Sequence, residues 1–154
     1  MTRTAEDDRF PVLAGAEAWS SPGGGPHGAL ALHGFTGNPN SMRGVAEALA
    51  GAGFAVELPR LPGHGTDIED MLDTTFADWS AAAEAALERL RARLGDGGRI
   101  VVAGLSMGGL LTVWLATRHA GLPTHPPQRR APASLPQAVH ARAGGLPSAA
   151  TTRL

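Results

Sequence analysis

Residues 99–109, Arg99-Ile100-Val101-Val102-Ala103-Gly104-Leu105-Ser106-Met107-Gly108-Gly109, decide the fold. Arg99 to Leu105 reads as a strand, apolar throughout its centre, the pattern of a strand covered on both faces. Met107 to Ala120 follows as a helix that is apolar almost all round (Leu110, Leu111, Val113, Trp114, Leu115), so deep burial is expected. Between them lies Gly104-Leu105-Ser106-Met107-Gly108, a G-x-S-x-G turn. In a chain with 21 glycines the pattern alone also fits an ordinary glycine-rich turn. The strand before it and the helix after it are what point to a strained elbow presenting a serine hydroxyl. Glycines at both ends suit that geometry, since the turn needs close packing and unusual backbone angles. Ser106 also falls at a helix N-terminus, where backbone N–H groups and the helix dipole favour developing negative charge.

Upstream the alternation of strand and helix continues. A strand is expected over Val12–Ser20, a turn over Ser21–Pro26, and a buried strand over Ala29–His33. Gly34-Phe35-Thr36-Gly37 forms the loop after it. Asn38 and Pro39 suit the N-cap and first position of a helix that carries Met42, Val45 and Leu49 and stops at Gly51-Ala52-Gly53. Phe54–Leu58 is a further short strand. Thr75 and Asp78 form a capping box for an amphipathic helix with Phe76, Trp79, Ala83, Leu87, Leu90 and Leu94 on one side, ended by Gly95. This order predicts an α/β fold with a mostly parallel sheet and flanking helices.

The segments LALHGFTGNPNSMRGVAEALAGAGFAVELPRLPGHGT and VVAGLSMGG resemble the carboxylesterase and monoacylglycerol-lipase branch of the α/β hydrolases, from about Ala29 to about Leu122. The resemblance implies Ser106 as nucleophile and the backbone N–H groups of Phe35 and Met107 as an oxyanion hole. His33, Gly34, Gly104 and Gly108 would be supporting positions. It implies a small-molecule ester or monoacylglycerol substrate and neither metal nor organic cofactor. His33 precedes the nucleophile, whereas the histidine of this family comes last in chain order, so an orienting or structural role is expected for it. His64 lies in a Gly-His-Gly turn that the family shares. The acidic stretch Asp67, Glu69, Asp70 and Asp73 is expected to be a solvated helix start, and Trp79 and Trp114 to be core residues.

Composition narrows the partners. Net charge is −1, there is no cysteine or tyrosine, and all 13 basic residues are arginine, a bias suited to GC-rich coding DNA. Neither a nucleic-acid surface nor a thiolate site is expected. No apolar run approaches the roughly 20 residues that span a bilayer, and the acidic start, Met1 to Arg9, is unlike a secretory signal. A cytoplasmic protein is the default, with residues 1–9 a disordered leader and 10–122 the N-terminal part of the hydrolase domain.

Residues 123–154 lose all periodicity and hold six of the 12 prolines, so a disordered tail is expected, from a shifted reading frame or an unrelated extension. The last acidic residue is Asp96, and only His119, His125 and His140 follow Ser106. A family member needs an acid and then a histidine after its serine. The sequence therefore implies an incomplete α/β-hydrolase fold, weak or inactive as an enzyme, with apolar faces that favour self-association. An enzyme half completed by a partner chain, or a non-catalytic binding or regulatory fragment, are the alternatives.

Overall fold

The computed structural model describes residues 2–95 and 97–119. Among these residues four strands form one sheet: β1 (Trp19–Ser21), β2 (Gly28–Leu32), β3 (Ala55–Leu58) and β4 (Ile100–Gly104). Their order is β1-β3-β2-β4, with β1 antiparallel to β3 and the other neighbours parallel. The helices are α1 (Asn40–Gly51), α2 (Ile68–Leu72), α3 (Phe76–Leu94) and α4 (Met107–Arg118).

β2 is buried along its whole length and shows how the layers are built. Successive side chains point to opposite faces of a strand. Ala29 and Ala31 join Met42 and Ala46 of α1 with Val56 and Leu58 of β3. Leu30 and Leu32 instead meet Ala83, Ala86, Leu87 and Leu90 of α3 and Met107, Leu111 and Leu115 of α4. Each such leucine taken from water contributes roughly 1.5–3 kcal/mol.

The parallel register sets the functional end of the sheet. Leu32 is opposite Gly104, and the Leu105 N–H donates to the Leu32 carbonyl at 3.0 Å. The loop after β2 and the turn after β4 therefore leave the sheet side by side.

Several expectations need correction. Residues 2–9 of the expected disordered leader are placed against the domain: Ala5–Asp7 is one turn of 3-10 helix with a Thr4/Asp7 capping box, and the backbone around it is tied to α2 and α3. The N–H groups of Arg9 and Phe10 donate to Asp70 at 2.9 and 3.1 Å, and that of Arg3 to Asp78 at 2.6 Å. Asp70 is thus fully buried rather than solvated. Burial raises its carboxyl, but the hydrogen bonds from Arg9 and Phe10 outweigh that and hold it below the usual carboxylate range.

Only the last part of the expected Val12–Ser20 strand pairs with the sheet. Asn38 accepts the Asn40 N–H as a cap should, while Pro39 already has helical angles. Helix α4 is buried on one face only; Leu110 and Val113 on the other are 65% and 62% exposed. Trp79 and Trp114 are only partly buried against the core. Ala120 and the whole of 123–154 lie outside the described residues.

Candidate active site

Ser106 occupies the turn between β4 and α4 with φ 52° and ψ −114°, a left-handed conformation that a side chain normally avoids. Holding a residue in such a region costs on the order of 1–3 kcal/mol. Two glycines make it sterically feasible. A Cβ on Gly104 would sit 2.1 Å from the Gly108 carbonyl oxygen, and one on Gly108 would sit 2.2 Å from the Leu32 carbonyl oxygen. The turn can therefore close onto the end of β2 only with both positions bare. Ser106 is solvent-exposed. The first turn of α4 runs through Gly109 N–H and Leu110 N–H to the Ser106 carbonyl, at 2.8 and 3.2 Å. Among the described residues the Met107 N–H has no acceptor.

The loop after β2 comes close to this turn. A Cβ on Gly34 would lie 3.4 Å from that of Ser106 and 3.2 Å from the Leu105 carbonyl oxygen. The orientation of the Gly34–Phe35 peptide follows from His33. Leu61 N–H donates to His33 Nε2 at 3.1 Å, so Nε2 carries the lone pair and Nδ1 the proton. Nδ1 then donates to the Gly34 carbonyl at 3.0 Å, and the Gly37 N–H donates to the same oxygen at 3.1 Å. In a planar trans peptide the N–H points opposite to the C=O. Fixing the Gly34 oxygen thus aims the Phe35 N–H, which has no acceptor among the described residues. Burial is the main reason that His33 is pushed down to about 4, despite its bond to Gly34, so the ring is neutral near pH 7.

Phe35 itself is 52% exposed. Its ring lies against His64 and Trp79, with centroids 6.0 and 5.7 Å away. Trp79 Nε1 donates to the Pro62 carbonyl and to Thr74 Oγ1, so this residue belongs to the rim of the site as well as to the core. His64 is buried; its Nδ1 bonds the Pro62 carbonyl, and its Nε2 has no partner among the described residues. In the sequence Trp79 reads only as a core position of α3; its place at the rim comes from Pro62 and Thr74, which no periodicity encodes.

Among the described residues one carboxylate–imidazole pair is present: His119 Nε2 lies 3.0 Å from Glu84 Oε1, with Arg91 against Nδ1. It sits just past the far end of α4. A helix of 12 residues rises about 18 Å, so this pair is remote from Ser106. His125 and His140 lie outside the described residues. No group of three or more metal-ligating side chains occurs among the described residues.

Sheet order, elbow and the loop beside it define an α/β hydrolase, and the α/β-hydrolase-fold family model matches residues 30–129. The chain belongs to that family. It is 53% identical over 112 residues to the thermostable monoacylglycerol lipase of Bacillus sp. (strain H-257), covering 73% of this chain and 43% of the relative. It is 33% identical over 92 residues to the carboxylesterase of Bacillus subtilis (strain 168), covering 60% of this chain and 37% of the relative. A solved structure from work on LipS and LipT, two metagenome-derived lipolytic enzymes, superposes with a TM-score of 0.66 at 47% identity. That match covers 70% of this chain and 42% of the other. The chain spans less than half the length of each of these relatives. No helix among the described residues is long and apolar enough to cross a membrane.

Proposed function

We propose that this chain carries the nucleophile half of a carboxylic-ester hydrolase acting on small acyl esters or monoacylglycerols. The observation that carries the reading is the side-by-side exit of two elements. One is the strained, exposed Ser106; the other is a peptide whose unpaired N–H is aimed by His33. Ser106 Oγ attacks the ester carbonyl carbon and gives its proton to a base, and the carbonyl oxygen becomes an anion. The N–H groups of Phe35 and Met107 receive that oxygen, each worth about 3–4 kcal/mol of barrier. Collapse breaks the bond to the alcohol, which leaves protonated, and water then releases the acid from Ser106.

The Glu84–His119 pair is too remote to act as that base, so the chain alone is expected to be weak or inactive. The same observation favours a second reading, in which a partner chain supplies the acid and the histidine. Hydrolysis of p-nitrophenyl butyrate by the purified chain, beside Ser106→Ala, tests the first reading. Turnover is expected to be slow or undetectable, and any that is seen should disappear in the variant. Measurable turnover at equal rates in the two proteins would remove Ser106 from the chemistry of this chain; none in either would leave a non-catalytic fragment or the two-chain reading.

A further inference from the structure

The N-terminal segment reaches the loop that holds His33 through one buried ion pair. The Asp8 side chain is 2% exposed and that of Arg60 10%, and the two are in direct contact. Asp8 also accepts the Gly63 N–H at 3.0 Å. Arg60 donates to the His64 carbonyl at 2.9 Å and to the Ala5 carbonyl at 2.6 Å. The turn Leu61–Gly65 is thus held by its backbone at two successive residues. That turn in turn touches the loop after β2 twice, through Leu61 N–H on His33 Nε2 and through the His64 ring, 5.1 Å from His33 and 6.0 Å from Phe35.

We propose that Asp8 and Arg60 are positioning residues for the oxyanion-binding peptide: they set the turn Leu61–Gly65, which sets the His33 ring, which sets the Phe35 N–H. The inference rests on the hydrolase reading for its purpose but not for its geometry. A guanidinium suits this place because its planar fork serves three acceptors at once, which a point-charge ammonium cannot. A charged pair also suits it better than an apolar one. Only groups with fixed hydrogen-bond directions can orient a backbone turn, and the anchored turn is shielded from competing water.

The test is spectroscopic and uses the full chain. In Arg60→Lys the buried charge beside Asp8 is kept, so the fold is retained, but at most part of the three-way contact survives. The Leu61 amide is then expected to exchange roughly tenfold faster. The Phe35 amide resonance should shift, and the His33 ring nitrogens should lose the signature of a single Nδ1–H tautomer. The amides of Leu30 and Val102 in the sheet should be unchanged. Asp8→Asn should show the same pattern more strongly. Asp73→Asn, which weakens the same N-terminal segment at an exposed pair with Arg3 and Arg9, should leave Phe35 and His33 alone. Where Ser106-dependent turnover is measurable, Arg60→Lys should lower kcat about tenfold with little change in KM. Parental His33 and Phe35 signals in both Arg60→Lys and Asp8→Asn would overturn the proposal. So would changes no different from those of Asp73→Asn. These signals decide the matter even if the parent chain shows no turnover, an outcome that bears only on whether this chain hydrolyses esters by itself.

Discussion

Ser106 stores strain in the one residue whose hydroxyl the proposed chemistry needs. Its φ of 52° is a conformation that glycine adopts without penalty, whereas a Cβ there is crowded. Ser106→Gly should therefore make the folded chain more stable by about 1 kcal/mol while removing the hydroxyl, a gain smaller than the strain because glycine also loosens the unfolded chain. Urea unfolding of the two proteins measures it; a variant less stable than the parent would mean that the elbow is not strained in solution. The glycines flanking Ser106 were legible from the sequence as a G-x-S-x-G pattern, but only the need at Gly104 is local to the turn; that at Gly108 comes from the Leu32 carbonyl at the end of β2, which the pattern does not name. The role of His33 was legible only in outline. Its Nδ1 partner is the next residue, but its Nε2 partner, Leu61, lies 28 positions away in sequence, and no periodicity encodes that pairing.

At the level of elements, the strands and helices were readable where burial alone dictates pattern, as in β2 and β4, and misread where a neighbour decides. The charged N-terminal segment looks solvated by composition, yet Asp70 lies buried under it and the segment's own Asp8 side chain is covered. A run of charges has the same sequence whether its partners are water or carboxylates some 60 residues on. Helix α4 shows the reverse error. Its all-apolar sequence implies cover on every side, but among the described residues only α3 and the sheet pack on it, and no strand pairs with the outer edge of β4. Leu110 and Val113 consequently face solvent, and Leu105 and Val101 are each about half exposed. Exposed apolar surface of this kind drives association. Sedimentation velocity should show the average mass rising with concentration, and Leu110→Gln/Val113→Gln should reduce that rise without lowering the unfolding midpoint. A parent that stays monomeric throughout, or a double variant that associates equally, would show that this face is covered.

For the molecule as a whole, the ties that hold the functional end together are those that acid removes. His33 takes up a proton near pH 6.5 in the unfolded chain but only near 4 when folded, because burial disfavours the charged ring. Between those values the unfolded state binds the extra proton, so acidification favours unfolding, by a total on the order of 3 kcal/mol once pH 4 is reached. His64 is lowered by burial too and adds to the effect in the same direction. Asp70 and Asp78 act in a separate, lower window. Burial raises both carboxyls, but hydrogen bonds outweigh it and hold them below the ordinary 3.8. Their contribution is complete above that value and is lost as pH falls through their folded values. Stability should therefore be level above about pH 7, decline from about 6.5 to 4, and decline again below 3.8. The first decline should shrink in His33→Gln, whose amide has no proton to gain, while the second persists. Urea midpoints taken from pH 8 to 3 separate the two. Constancy between pH 7 and 4.5 would show that His33 is not buried as a neutral ring, and would remove the link by which Leu61 orients the Phe35 peptide.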